Sequence, residues 1–436
     1  MKIRNPQNIF RYDVCSPVRT RHIRGKCVKK RQFLKDGITL KNQGRRVRTI
    51  LTLEGIIEYK RTVYVPADKR SSQLLLDKYG LKAVIPLDMA LGIDRLPFKV
   101  SPQMMLDIAR RAINAASYEE LQKTYAQDWN ILISDDQIRH ITNYIGQLVY
   151  ENDCSCREAA LRHLHEKEDS SGPGKAVSED ILYVEMDGAM FNTRKQENNS
   201  TWKENKLGLV FSSRDLRTYQ TKEGKQAKRI GKREYISYAG SADIFLEFLY
   251  STALKNGLES HGKVVIISDG ARWIKNFKEQ YCKELDVVHI LDYSHTKENV
   301  YKFANASIRG KKAKRAWAEK LCDLIYNGKI RDALAMTEPY KNMKRPGIPN
   351  IHTYLSNNID CIDYPSYISA GYFIGSGSIE SGNKSTMQER LKLPGMRWDI
   401  TSAQFVLSAK MKYDSGLWNS EVVPLLYQKL GLSLPQ

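Results

Sequence analysis

The sequence contains few of the features that mark membrane or secreted proteins. No stretch approaches the roughly 18 consecutive apolar residues that a membrane-spanning helix needs. The first 20 residues contain no apolar core of a signal peptide, so we expect no secretory leader. The seven cysteines are scattered without the spacing of a disulfide framework, which predicts reduced thiols in the cytoplasm. We therefore expect a cytoplasmic protein with no membrane partner.

Acidic residues are also scarce. The 436 residues include 69 Lys or Arg and 49 Asp or Glu, which gives a net charge of +20. Residues 1–50 hold 15 of the basic residues and only two acids, so this basic arm repels itself unless an anion or solvent screens it. A polyanion, most commonly nucleic acid, is the expected partner, and a solvated charged face is the alternative. The predicted DNA-binding residues of the arm are Arg21, Arg24, Lys29, Lys30 and Arg31.

Two further segments precede a linker. Apolar residues alternate over 47–65 around Glu54–Gly55, which predicts a hairpin and assigns 1–100 to the arm and a small β module. Residues 101–165 change to a helical period, with helix starts at Ser101, Ser117 and Ser134. Three such helices are typical of a helix-turn-helix DNA-binding domain or of an ordinary helical bundle. In the helix-turn-helix interpretation, the base-contacting residues are Gln137, Arg139 and Asn143.

The second half of the chain predicts an α/β domain. A Gly- and Pro-containing linker is expected at 166–180, and the domain itself over 181–436. Strands are expected at 181–187, 206–211 and 234–239, then a helix at 242–254 and apolar strands at 264–269 and 287–292. This order, antiparallel strands followed by parallel strands that alternate with helices, is typical of a ribonuclease H-like fold.

Three acidic residues occupy similar positions in this domain. Asp187 and Asp269 each end an apolar strand and are followed by Gly-Ala, and Glu380 lies in a Gly- and Ser-rich segment. Acids at the carboxyl ends of sheet strands face the crevice where α/β proteins bind ligands, although a lone strand-end Asp is more often a turn residue. Carboxylates from separate elements are the usual ligands of two Mg²⁺ ions in phosphoryl transfer. Glu185 shares a strand face with Asp187 and is a weaker candidate.

These residues lie in segments that resemble the Mutator-type bacterial insertion-sequence transposases with a DDE active site. The similarity runs from about residue 45 to about 415. It is most specific in VEMDGAMF at 184–191, ISDGARWI at 267–274, ILDYSHTKENVY at 290–301 and GSGSIESGNKSTMQERLKLPGMRW at 375–398.

The resemblance implies a ribonuclease H-like catalytic domain with an all-helical insertion at about 300–370. It implies that Asp187, Asp269 and Glu380 are the catalytic acids and hold two Mg²⁺ or Mn²⁺ ions. Asp292, His295 and Trp398 would be supporting residues. The implied activity is cleavage of element ends and transfer of the freed 3′-OH to target DNA, in the bacterial nucleoid.

Duplex DNA, as element terminal repeats and target, would then be the partner, and two DNA ends imply a homo-oligomer. A second basic segment, with Lys311, Lys312 and Arg315, would contact DNA as well. Two alternatives remain at this point. One is a catalytically inactive or domesticated sequence-specific DNA-binding protein. The other is a ribonuclease H-like nuclease or resolvase without strand transfer.

Overall fold

The computed structural model describes residues 31–33, 37–168, 178–197, 200–221, 224 and 226–434. Arg21, Arg24, Lys29 and Lys30 of the basic arm lie outside the described residues, as do the side chain of Arg31 and the linker residues 169–177. The chain divides into two compact units. Unit 1 contains 1–109, 121–141 and 423–436, and unit 2 contains 110–120 and 142–422.

The strands and helices follow the chain in this order. The strands are β1 (Arg31–Phe33), β2 (Thr39–Thr52), β3 (Gly55–Pro66), β4 (Ser178–Glu197), β5 (Ser200–Ser212), β6 (Leu216–Gln220), β7 (Gln226–Ile230), β8 (Glu234–Tyr238), β9 (His261–Ser268) and β10 (Val287–Leu291). The helices are α1 (Lys69–Tyr79), α2 (Pro86–Leu91), α3 (Pro102–Ala112), α4 (Tyr118–Trp129), α5 (Asp135–Glu168), α6 (Ala242–Lys255), α7 (Arg272–Tyr281), α8 (Tyr293–Ser307), α9 (Lys311–Tyr326), α10 (Ile330–Thr337), α11 (Ile351–Asn357), α12 (Tyr364–Ser369), α13 (Gly377–Gly382), α14 (Glu389–Leu391), α15 (Ile400–Asp414) and α16 (Val423–Leu430). Within the part of the chain that the structure describes, no helix is both long and apolar enough to cross a membrane.

In unit 1, β1, β2 and β3 form an antiparallel sheet. Thr52 of β2 lies opposite Gly55 of β3, and the φ of +106° at Gly55 closes the turn between them. The predicted hairpin around Glu54–Gly55 is therefore confirmed. The sheet packs on α1 and α2 through a small core of buried residues: Ile38, Leu40, Tyr64, Leu75, Val84 and Met89.

The three predicted helix starts are confirmed. The hydroxyl oxygens of Ser101, Ser117 and Ser134 each accept the backbone N–H of the residue three positions later, at 3.0–3.3 Å. Each serine thus satisfies one of the N–H groups that a helix leaves without an intrahelical partner. The third helix, α5, extends over 34 residues, well beyond the segment that its apolar spacing predicted.

Unit 2 contains a five-stranded mixed sheet in the order β10–β9–β4–β5–β8. The strands β10, β9 and β4 run parallel to one another, whereas β5 pairs antiparallel with both β4 and β8. The remaining strands, β6 and β7, form a separate two-stranded antiparallel ribbon. The expected α/β class is therefore confirmed at the level of a mixed sheet combined with helices.

Side chains that alternate along the central strands divide the core of unit 2 into two layers. Tyr183 and Ile267 face a layer that includes residues of α8 to α15. Val184 and Ile266 point to the opposite side, towards α6 and α7. Helices thus cover both faces of the sheet, which explains the apolar run from Val264 to Ile267 in β9.

One buried charge cluster links several elements of unit 2. The ammonium group of Lys412 on α15 is 6% exposed and lies 3.1–3.2 Å from carboxylate oxygens of Asp153, Glu234 and Glu421. Lys255 adds a second cation, 2.8 Å from Glu234. The mutual attraction raises the pKa of Lys412 despite the opposing effect of burial.

Candidate active site

The sheet brings the first two predicted acids to one edge. Met186 on β4 is paired in parallel register with Ser268 on β9, and Asp187 and Asp269 are the residues that follow them. Asp269 directly follows β9, whereas Asp187 lies within β4, which continues to Glu197, so the prediction that Asp187 ends a strand is wrong. The parallel pairing of β4 with β9 ends at Met186 and Ser268, and this register places the two acids next to each other. Burial, opposed by the hydrogen bond from Gly188 N–H at 2.7 Å, raises the pKa of Asp187, and the charge of Asp269 raises it further.

The turn after Asp269 requires glycine. Gly270 has a φ of +85°, and a Cβ there would lie 2.7 Å from Cδ1 of Leu291. The backbone N–H of Ala271 donates to Oδ1 of Asp269 at 2.9 Å, and the Tyr354 hydroxyl donates to the Asp269 carbonyl at 3.2 Å. The Asp-Gly-Ala motif therefore acts by holding the carboxylate in a tight turn, with Gly270 as its essential backbone element.

Asp292 follows β10 and is fully buried. Its carboxylate accepts hydrogen bonds from Ser294 N–H at 2.7 Å, from the imidazole Nδ1 of His295 at 2.9 Å, and from both the backbone N–H and the hydroxyl of Ser376. Burial alone would raise the pKa of Asp292, but these donors hold it below its usual value. Asp292 is therefore an ionised residue that orients its neighbours and begins α8.

His295 carries a positive charge near the acids. The hydrogen bond with Asp292 is the main cause that raises the pKa of His295 to about 9, and burial opposes it. The charges of Asp292, Asp187 and Asp269 raise this pKa further. The imidazolium thus counterbalances part of the negative charge that the carboxylates concentrate at this edge of the sheet.

Glu380 lies exposed on α13, and the chain next to it is tied to β4. The backbone N–H of Ile379 donates to Oε2 of Glu185 at 3.0 Å. Burial raises the pKa of Glu185 to about 8, so this carboxyl is largely protonated at neutral pH. Glu185 therefore holds the chain of α13 in place next to the site. This role agrees with the expectation that Glu185 is a weaker metal-ligand candidate than Asp187. Burial and the nearby charges of Asp292 and Asp187 raise the pKa of Glu380, whereas His295 lowers it.

The sequence patterns did not identify two residues of the site. Asn383, three residues after Glu380, is buried, and its side-chain amide donates to Oδ2 of Asp187. Ser376, just before α13, holds Asp292. The helix that carries Glu380 therefore also orients two other acids, and it continues through a π-helical segment at Asn383–Gln388, a feature frequent at functional sites. The only sequence signal for them is the polar run GSGSIESGN.

Within the described part of the chain, three potential ligand atoms lie within 4.8 Å of one another at Asp292, His295 and Glu380. Asp187 and Asp269 do not join a group this tight among the described residues. Asp292, however, already accepts four hydrogen bonds, one of them from the His295 imidazole at 2.9 Å. We therefore interpret this triplet as an ion-pair network.

The carboxylates of Asp187, Asp269 and Glu380 are the alternative ligands for a divalent cation. Asp269 raises the pKa of Asp187, and Asp187 raises that of Glu380, so Asp187 interacts unfavourably with each of the other two carboxylates. Hard carboxylate oxygens from separate elements are the donors that Mg²⁺ and Mn²⁺ prefer. Asp187, Asp269 and Glu380 offer donor atoms of this chemical type.

Trp398 packs on a more distant part of β4. Its backbone N–H donates to the Asn192 carbonyl at 3.0 Å, and its own carbonyl accepts the Arg194 N–H at 2.8 Å. Asn192 lies five residues beyond Asp187, about 16 Å along an extended strand. The buried Arg390 guanidinium stacks 4.7 Å from the Trp398 ring centroid. Trp398 thus supports the extension of β4, whereas Asp292 and His295 lie close to the candidate catalytic acids.

The predicted DNA-binding residues in the described part of the chain lie in helices, and some already have protein partners. On α5, Arg139 pairs with Asp136 at 2.8 Å, Gln137 lies in the first turn, and the Asn143 amide donates to the Ser402 hydroxyl at 3.2 Å. At the start of α9, the basic side chains are exposed: Lys311, Lys312 and Arg315. Arg315 pairs with Glu319 at 2.7 Å.

Residues 34–419 match the profile of the uncharacterised protein family UPF0236. No curated protein matches the chain. The matched range includes every acid of the candidate site.

Proposed function

The chain belongs to the uncharacterised protein family UPF0236, and from its own site we propose that it is a DDE transposase. It binds the ends of its insertion sequence, cleaves a DNA strand there with the help of divalent metal, and joins the end to target DNA. The single observation that carries the proposal is the cluster of Asp187, Asp269 and Glu380 around His295. These residues come from two neighbouring strands and a distant helix, and each affects the pKa of another.

The sheet topology supports the finer proposal of a ribonuclease H-like catalytic domain. Antiparallel β4, β5 and β8 come first in the chain, followed by α6 and then the parallel strands β9 and β10. The helices α9 to α12 separate β10 from Glu380. This is the arrangement that the resemblance to Mutator-type transposases implies, with the third acid beyond an all-helical insertion.

Asp187, Asp269 and Glu380 would hold Mg²⁺ or Mn²⁺, which supplies activation of the attacking oxygen and stabilisation of the leaving oxygen. The other residues have supporting tasks. Asn383 orients Asp187, Glu185 fixes the start of α13, and Asp292 keeps His295 protonated. A cation at His295 favours the approach of a phosphate group to the carboxylate-rich edge, where negative charge would otherwise repel it.

The basic composition supports a DNA partner. The excess of 20 positive charges provides the counter-charge that duplex DNA requires, and affinity of this origin decreases steeply with salt. A homo-oligomer belongs to the proposal, because joining two element ends to one target requires two sites.

The proposal is tested by incubating the purified protein with labelled duplexes that carry candidate element ends, with Mg²⁺, with Mn²⁺ or with chelator. We expect metal-dependent nicking at the ends and joining of the cut end to a second duplex, both lost in Asp187→Ala. Cleavage without joining would favour a nuclease or resolvase. Tight, salt-sensitive binding without cleavage would favour an inactive or domesticated DNA-binding protein.

A further inference from the structure

A cationic cleft lies at the base of the ribbon formed by β6 and β7. Its volume is about 490 Å³, and its lining consists of Arg214, Asp215, Arg217, Arg229, Ile230, Gly231 and Lys232. Four of these side chains are cationic and one is anionic, an excess of three positive charges. The ligand that such a lining favours is an anion with several oxygen acceptors.

The ribbon concentrates these charges in an unfavourable arrangement. Arg217 on β6 lies directly opposite Arg229 on β7, and both are exposed. Like charges in opposed positions destabilise a strand pair, and a two-stranded ribbon is only marginally stable alone. An anion bound between the two guanidinium groups would remove this repulsion. The two opposed arginines therefore do not by themselves stabilise the pairing of β6 with β7.

The base of the ribbon is held firmly to the core of unit 2. Leu216 and Ile230 lie opposite each other and pack against the core layer that contains Tyr183. The N–H of Gly231 donates to the Asp215 carbonyl at 2.8 Å, and a Cβ on Gly231 would lie 2.9 Å from that oxygen. Glycine thus permits a close backbone contact in the wall of the cleft. The cleft is fixed in place, as a binding site requires.

The shape of the ribbon fits duplex DNA. Each strand has five residues and is about 17 Å long, and the side chains from Arg217 to Gln220 are all exposed. Phosphates along one DNA strand are about 3.4 Å apart, so a basic segment of this length can follow about five of them. Residues 213–233 contain eight Lys or Arg and two acids, so the whole segment is strongly basic.

We propose that the cleft at the base of β6 and β7 binds the phosphate backbone of duplex DNA through Arg217 and Arg229. This contact is additional to the DNA-binding residues predicted from the sequence, and it rests on the proposed function of the chain. Because phosphate contacts carry no sequence information directly, the site positions DNA in the catalytic unit and does not select its sequence.

The test compares the full-length protein with the double variant Arg217→Gln/Arg229→Gln in chelator, so that binding is measured without cleavage. Fluorescence anisotropy gives the affinity for an element-end duplex and for a scrambled duplex at several salt concentrations. Two lost phosphate contacts should reduce the slope of log affinity against log salt by about 1.8 and the affinity at 0.1 M salt by up to about 60-fold. Both duplexes should lose affinity equally, and the thermal midpoint should stay equal to the wild-type value or rise, because a repulsive pair is removed.

The matched control is Lys329→Gln/Arg331→Gln, which removes two exposed positive charges at the start of α10. It should retain nearly the wild-type affinity and salt slope. An unchanged slope in the ribbon variant, or an equal loss in the control, would overturn the cleft assignment. So would a loss confined to one duplex sequence. Cleavage by the wild type and its loss in Asp187→Ala are measured separately, so the cleft can fail while the catalytic proposal stands. A wild type that binds no duplex would overturn both.

Discussion

Replacement of Asp292 by Asn tests the electrostatics of the site most sharply. The pKa of His295 lies at about 9 against an ordinary 6.5, and its hydrogen bond to Asp292 is the main cause. A difference of about 2.5 pH units corresponds to about 3 kcal/mol of preference for the protonated imidazole. His295 is 24% exposed, so solvent screens this interaction only in part. Without the Asp292 charge, burial opposes protonation and only the charges of Asp187 and Asp269 still favour it, so we expect the pKa of His295 to fall well below its wild-type value.

Titration of the His295 imidazole by NMR, in chelator, measures this shift directly. A folded-state pKa above the unfolded value contributes stability that is complete below pH 6.5 and disappears as the pH rises through about 9. The stability difference between wild type and Asp292→Asn should therefore shrink across that window. Glu298→Gln is a suitable control, because Glu298 pairs with Lys302 at 2.9 Å, and it should leave the His295 pKa nearly unchanged. A pKa that stays above 8 in Asp292→Asn would refute the reasoning.

Three further predictions concern the supports of the fold and site. Lys412→Met removes the cation that pairs with the buried Asp153 and leaves Glu234 with Lys255 alone, so it should lower the free energy of unfolding by about 3–5 kcal/mol in urea titrations. A loss below about 1 kcal/mol would contradict this. Glu185→Gln keeps an acceptor for Ile379 N–H, so it should retain cleavage that Glu185→Ala loses. Burial raises the pKa of Glu185 to about 8, so the stability of the wild type relative to Glu185→Gln should fall as the pH rises from 4.5 to 8. A difference in unfolding free energy that does not change with pH would contradict this. Gly270→Ala places a Cβ at a φ of +85°, which should lower the free energy of unfolding by about 1–2 kcal/mol. The same change should reduce cleavage more than DNA affinity. An unaltered thermal unfolding midpoint would contradict this prediction.

Much of the fold follows from local patterns. The Ser residues that begin α3, α4 and α5 and the alternation around Gly55 are short-range signals, and they predicted these elements. The apolar strands β9 and β10 were predicted because both of their faces are buried. In each case the physical cause lies within a few residues of the chain.

Other elements have no such local cause. The ends of β4 and β5 extend past the apolar segments because the two strands pair with each other from Asp187 to Asn192, where polar residues hide the strand period. The ribbon of β6 and β7 was missed for the same reason, since its residues are mostly charged or polar.

The residues of the candidate site also include some that short sequence patterns indicate and others that they do not. Asp187 and Asp269 were chosen as candidates because each is followed by Gly-Ala, and Glu380 because it lies in a Gly- and Ser-rich segment. Asn383 and Ser376 could not be predicted, because their contacts with Asp187 and Asp292 join residues 196 and 84 positions apart. Only the folded chain shows which polar side chain turns towards which acid.

The most direct test of the central claim is a paired measurement on Asp269→Asn, with strand cleavage and DNA affinity determined on the same element-end duplex. The side chain keeps its size and can still accept the Ala271 N–H, but it loses the charge that a divalent ion requires. We predict that metal-dependent cleavage falls to background while affinity in chelator stays at the wild-type value. Cleavage at the wild-type rate would contradict the assignment of Asp269, and with it the proposed DDE site.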